Sequence, residues 1–252
     1  MIKNKKGQMV IWAIVALTIV VAIILLMFLR TKTNVNVSNQ QGPTKFIETC
    51  TRDAVLKTVE KMMSQGGFVN PSNYKIYKDT KVEYQCLNVG NYEPCINQHP
   101  AFLNEEKEEI IKNTQGEIED CFAQLKNEGQ NRNENVRLGT MNYSVTFAPG
   151  RILVNLQMET EISKNGETTK FNQYSYEIES PLYDLANVAV EIVTQQAKYC
   201  YFEYNGYMIL YPKYKIDVFT MSDSTRIYTI EDKNSGNKLN IAVRSCAIPP
   251  GI

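Results

Sequence analysis

Residues Gln8 to Leu29 carry no charged side chain, and nearly every position from Met9 to Leu29 is apolar. At 1.5 Å of rise per residue, a helix over this stretch would span roughly 30 Å, the thickness of a bilayer's hydrocarbon core. It is too long for the apolar region of a cleaved secretory signal, and no small-residue cleavage pattern follows it. A core helix of this length would carry a polar face, which this stretch lacks. The expectation is an uncleaved membrane anchor over 8–30. Lys3, Lys5 and Lys6 precede it and Arg30 and Lys32 follow. The greater positive charge before the segment favours an inside N-terminus and an extracytoplasmic C-terminal domain.

This anchor orders the rest of the chain. Residues 1–7 form a basic cytoplasmic leader, 8–30 the transmembrane helix and 31–43 a polar stalk. Two subdomains are then expected, a helical Cys-bearing one over 44–135 and an antiparallel β-rich one with a single helix over 136–252. The run EGQNRNEN at 128–135 reads as the linker between them.

The string Lys5-Lys6-Gly7-Gln8 resembles the processing site of archaeal type IV pilin precursors, with Gly7 and Gln8 flanking the cut. The resemblance implies cleavage after Gly7 and packing of subunits through the apolar helix. It departs from the pilin pattern at Trp12, where pilins usually place a Glu.

All six cysteines, Cys50, Cys86, Cys95, Cys121, Cys200 and Cys246, follow the apolar segment. An even number confined to the expected outer part suggests three disulfides out of 15 formal pairings. Ile47-Glu48-Thr49-Cys50 and Ile118-Glu119-Asp120-Cys121 share a pattern, and each lies in a helical stretch. The inward faces are Ile47, Cys50, Ala54 and Met62 in one, and Ile111, Thr114, Ile118, Cys121 and Leu125 in the other. Packing those faces would join Cys50 to Cys121. Cys86–Cys95 would then close a short loop, and Cys200–Cys246 would tie the last strand to a helix exit. Tight metal-ligand spacing is lacking around the single histidine, His99, so no metal and no cofactor are expected.

Helices are expected over about Thr44–Ser64, stopped by Gly66-Gly67, and over about Leu103–Asn127, with Glu105, Glu106, Glu108 and Glu109 at its start. Residues 136–147 and 151–162 alternate as strands. Asn165-Gly166 suits a type I′ hairpin turn, and Asn205-Gly206 reads as a second such junction between strands. Ser180 as N-cap and Pro181 at the first position open another helix. Runs 214–220, 225–231 and 238–246 are strand-like. The fold class is α+β: an N-terminal transmembrane helix, then a disulfide-tied ectodomain with an antiparallel sheet carrying helices on one side.

The Lys-Gly-Gln start, the Cys-bearing helix ending in Gln65-Gly66-Gly67, the second Cys-bearing helix and the hairpin before a Pro-initiated helix resemble a family of uncharacterised single-span surface proteins of small-genome archaea. The resemblance implies location and architecture and supplies no catalytic residues.

Net charge is zero over the chain. The first 32 residues hold five Lys/Arg and no Asp/Glu, which leaves 22 basic against 27 acidic residues beyond them. Such a domain is unsuited to nucleic acid. Motifs for a nucleophile or a phosphate-binding loop are missing, and no catalytic residue is assigned. Glu159, Glu161, Glu177 and Glu179 offer paired carboxylates of the kind a glycosidase uses. Tyr199, Tyr201, Tyr204, Tyr207, Tyr211 and Tyr214 crowd 16 residues and form the candidate binding surface. Asn36-Val37-Ser38 and Asn142-Tyr143-Ser144 match the N-glycosylation sequon. The reading is a membrane-anchored cell-surface protein with a structural, adhesive or binding role. Its partners are the bilayer and other surface proteins or further copies of itself. A pilin-like filament subunit is the first alternative and an exported hydrolase the second.

Overall fold

The computed structural model describes residues 42–248. The expected leader, transmembrane helix and most of the stalk, with the Gly7/Gln8 site and the Asn36 sequon, lie outside the described residues. Among the described residues no helix is long and apolar enough to cross a membrane.

Helix α1 (Pro43–Ser64) buries Ile47, Thr51, Ala54, Val55, Thr58, Val59 and Met62, a stripe with steps of three and four residues. Two glycines in the left-handed region, Gly66 (φ +83°) and Gly67 (φ +92°), end it and turn the chain into strands β1 (Tyr74–Tyr77) and β2 (Thr80–Leu87). Gly67 is also required by space, because a Cβ there would lie 2.5 Å from the Phe102 ring. After the two-residue strand β3 (Ile96–Asn97), helix α2 runs from Phe102 to Asn131. It is longer than its sequence pattern suggested, since the polar run at 128–131 is its solvent-facing last turn. At Gly129, where a Cβ would meet Val136 at 2.5 Å, the helix end closes on the next strand. The α2 stripe is Phe102, Glu106, Ile110, Thr114, Ile118, Phe122 and Leu125. Ile118 is fully buried as expected, and Ile110, in place of the expected Ile111, is its other fully buried isoleucine.

Strands β4 (Asn135–Leu138) and β5 (Asn142–Ala148) replace the single strand expected over 136–147. Both pair with the long β6 (Arg151–Lys164), in tandem, and Gly139 bridges the break by donating its N–H to the Glu159 carbonyl at 2.7 Å. The hairpin from β6 to β7 (Glu167–Glu179) turns at Asn165 (φ +50°) and Gly166 (φ +88°), as a type I′ turn demands. Helix α3 (Leu182–Tyr199) follows, and the short α4 (Tyr204–Leu210) leads into β8 (Tyr214–Thr220), β9 (Arg226–Asp232) and β10 (Lys238–Arg244). Pro181 caps α3. The cap thus falls one residue later than the expected Ser180, whose hydroxyl still accepts from Leu182 N at 3.2 Å.

Two sheets form instead of one. The six-stranded sheet runs β1-β2-β10-β9-β8, with β3 also on β2, and the four-stranded sheet holds β4 to β7. Every pair is antiparallel except β2 with β10, which run parallel through Tyr84↔Ala242 and Cys86↔Val243. Helices α1 and α3 each touch both sheets, so the helices do not lie on one side of a single sheet. The division expected at residue 135 also fails as a boundary. Strand β2, before it, lies beside β10, after it, and one apolar core joins Ile47, Ile118, Ile152, Leu185 and Ile241. Residues 43–248 form one compact unit.

Three disulfides tie this unit: Cys50–Cys121, Cys86–Cys95 and Cys200–Cys246. Their Cα separations of 6.2, 5.4 and 5.6 Å suit the bond. No cysteine is left free among the described residues. The first joins α1 to α2 and the second staples the loop beside β2. The third links Cys200, the left-handed C-cap of α3, to the end of β10.

Candidate functional site

The tyrosine-rich segment folds differently from the expected hairpin. The Glu203 carboxylate accepts from Asn205 N at 3.2 Å and Gly206 N at 3.3 Å, so it caps a helix. Asn205-Gly206 becomes the first turn of α4 and not a strand junction. The six tyrosines therefore do not share one exposed row. Tyr214 is buried; Tyr204 and Tyr207 are half-buried; Tyr199, Tyr201 and Tyr211 are exposed. Tyr207 gathers its neighbours, with ring centroids 4.7 Å from Tyr211, 6.4 Å from Tyr214 and 5.4 Å from Phe202. Burial pushes the Tyr207 phenol up to about 12. Tyr199 and Tyr201 stand apart, and the Tyr201 hydroxyl donates to Glu203.

Tyr207, Leu210, Tyr211 and Tyr214 face Asp184, Glu191 and Gln195 of α3 across a cleft of about 440 Å³. A larger groove of about 860 Å³ lies beside it and shares Asp184. Arg52, Gly150, Arg151, Glu177, Lys213, Asp232 and Asn234 line this groove. Its charges are mostly paired. Asp184 accepts from Gly150 N at 2.7 Å and Lys213 Nζ at 3.1 Å, and Arg151 meets Glu177 at 2.6 Å. Hydrogen bonds to Tyr214 and Asp184 hold the Lys213 ammonium above its usual range, against burial. Two kinds of surface thus adjoin at Asp184: ring faces with an apolar edge, and a polar floor of mostly paired charges.

Three of the four expected carboxylates face a cation. Lys170 pairs with both Glu159 and Glu161, and its hydrogen bond lowers Glu161. Glu177 is held by Arg151.

Sequence reading missed a histidine–carboxylate cluster. The His99 side chain is only 15% exposed and packs 4.5 Å from the Phe68 ring. Its Nδ1 lies 2.6 Å from Glu105 Oε2 and its Nε2 3.6 Å from Glu83 Oε1. Burial opposes charge on the ring, but the two carboxylates outweigh it and raise His99 above its ordinary value. Glu83 also accepts from Ser72 N at 2.6 Å and Asn73 N at 3.0 Å. Nearby, Glu106 is fully buried with neither carboxyl oxygen bonded, and burial, aided by Glu105, raises it well above the usual carboxylate range. It was expected among the acidic residues exposed at a helix start. A signal existed: Glu106 falls between Phe102 and Ile110 on the apolar stripe of α2, at steps of four. Among the described residues no group of three or more His, Cys, Asp or Glu side chains is placed to hold a metal ion.

No family model, curated protein or solved structure matches the chain.

Proposed function

We propose that the chain is a membrane-anchored extracytoplasmic protein whose disulfide-tied domain binds a partner or ligand at the cell surface. The observation that carries this reading is the state of the cysteines. All six follow the apolar segment, and all six are consumed in three disulfides. Such bonds persist in oxidising compartments, and a 22-residue uncharged apolar segment immediately upstream supplies both export and attachment. The binding surface in this reading is the aromatic cleft of Tyr207, Tyr211 and Tyr214 together with the groove that meets it at Asp184. Tyrosine rings offer apolar faces and a polar tip, and the groove's mostly paired charges offer hydrogen bonds. That combination suits an uncharged polar ligand such as a glycan.

Protease added to intact cells tests the location. The domain should be shaved from the outside, while a membrane-embedded fragment stays with the pellet. Full protection until the cells are lysed would overturn the reading.

A second reading is favoured by the string Lys5-Lys6-Gly7-Gln8, with processing after Gly7 and assembly through the apolar helix. Intact mass distinguishes the two, since a mature chain beginning at Gln8 supports the filament subunit and a retained leader supports the simple anchor.

A further inference from the structure

Asn142-Tyr143-Ser144 opens strand β5, directly after the break at residues 139–141. Tyr143 points inward, where its hydroxyl lies 3.0 Å from Thr114 Oγ1 on α2. Strand alternation then sends Asn142 and Ser144 outward together, and both are exposed. Among the described residues the one other Asn-x-Ser/Thr string, Asn70-Pro71-Ser72, is barred as an acceptor by its proline, and the Asn142 side chain makes no hydrogen bond. The register sets Asn142 beside Gln157, with Gln173 next in the row across β6, and Ser144 beside Asn155, with Ser175 next in its row. These six side chains form an uncharged amide and hydroxyl patch. Within it, Ser175 Oγ donates to Asn155 Oδ1 at 2.8 Å and Gln173 donates to Ser175 at 3.2 Å. Charged side chains resume only beyond it, at Arg151 and Glu177 on one end and Glu159, Glu161 and Lys170 on the other.

We infer that Asn142 is an acceptor for an N-linked glycan, an inference that rests on the extracytoplasmic reading above. The donor is a sugar activated as a lipid-linked phosphate or diphosphate, brought by a membrane transferase. The amide nitrogen of Asn142 forms a bond to the anomeric carbon, and the bond from that carbon to the phosphate oxygen breaks. The phosphate leaves with the electron pair, and the amide gives one proton to a base of the transferase. Ser144 supplies the hydroxyl the sequon needs, on the same face as the acceptor. The flanking amides and hydroxyls can meet sugar hydroxyls without stripping water from a charge.

The test is peptide mass spectrometry on the full chain purified from the cells that make it, with its disulfide content measured on the same sample. The peptide holding Asn142 should carry added sugar mass. Asn142→Gln and Ser144→Ala should each abolish that mass, Ser144→Thr should retain it, and Asn155→Ala, outside the sequon, should not affect it. Three intact disulfides with an unmodified Asn142 would overturn the inference while leaving the extracytoplasmic reading in place. Six free thiols with an unmodified Asn142 would overturn both. Sugar mass that survives on that peptide in Asn142→Gln would assign the linkage elsewhere and overturn the inference.

Discussion

Cys50 on α1 and Cys121 on α2, 71 residues apart in the chain, are joined with their Cα atoms 6.2 Å apart. The bond crosses the contact between the two helices that flank β1, β2 and β3 in sequence. It therefore closes the longest of the three disulfide loops, the others spanning 9 and 46 residues.

Loop length sets an order of stability. On the chain-entropy argument, replacing both cysteines of Cys50–Cys121 or of Cys200–Cys246 by Ala costs about 4 kcal/mol, and replacing those of Cys86–Cys95 about 3 kcal/mol. Urea unfolding of the three double variants checks the order. A Cys86/Cys95 variant less stable than the Cys50/Cys121 variant would contradict it.

His99 gives the domain a pH dependence near neutrality. Glu83 and Glu105 raise the folded ring above the ordinary 6.5. Its contribution is fully present below pH 6.5 and is lost as pH rises through the higher folded value. The stability difference between the natural chain and His99→Gln should therefore shrink between pH 6 and pH 8.5. A difference that stays flat or grows would contradict the geometry.

Glu106 acts in the same direction with a different cause. Its buried carboxyl is raised well above 4.5, so the unfolded chain gains ionisation energy that the folded one forgoes as pH rises past 4.5. Glu106→Met should stabilise the domain at pH 7 by about 1–3 kcal/mol, the cost of a buried unpartnered polar group. The ionisation part of the gain should vanish below pH 4.5, leaving only the cost of the neutral unpartnered carboxyl. Loss of stability at pH 7 would show that Glu106 has a partner in the folded protein.

Two glycines separate strain from space. Gly150 (φ +71°) has no atom within 4 Å of a would-be Cβ, while Gly67 (φ +92°) has the Phe102 ring at 2.5 Å. Gly150→Ala should cost about 1 kcal/mol from backbone strain alone. Gly67→Ala should cost about 2–4 kcal/mol, since overpacking adds to the strain. Thermal or urea unfolding of the pair reads the difference directly, and equal costs would contradict the packing around Phe102.

The tyrosine edge divides into framework and free surface. Tyr214 is 6% exposed and Tyr199 61%. Tyr214→Ala should destabilise by about 3–5 kcal/mol, whereas Tyr199→Ala should stay within about 0.5 kcal/mol. Any ligand effect of Tyr199→Ala or Tyr211→Ala measured on the folded domain then reports on binding.

Local signals account for much of the architecture. The stripe from Ile47 to Met62 marks α1, Asn165-Gly166 marks the β6–β7 turn, and the two Cys-bearing helical faces place Cys50 against Cys121. What escaped the sequence depends on distant partners. The parallel pairing of Tyr84 with Ala242 leaves no trace in either segment, so the chain reads as two subdomains although β2 and β10 weld its halves. Asn205-Gly206 carries the same turn chemistry as Asn165-Gly166, yet the upstream Glu203 carboxylate caps its amides and makes it helical. The histidine–carboxylate cluster was hidden for the same reason. Glu83, Glu105 and His99 come from a strand, a helix and a loop, and the pairing of β2 with β3 and the close approach of Gly67 to Phe102 bring these segments together.

The central claim is an oxidised domain held outside the membrane. Its most direct measurement is the intact mass of the full chain, isolated from its own cells under thiol-blocking conditions, before and after complete reduction. Three disulfides predict that no blocking reagent adds to the native chain and that reduction adds about 6 Da. Six blocked thiols on the native chain would contradict the claim.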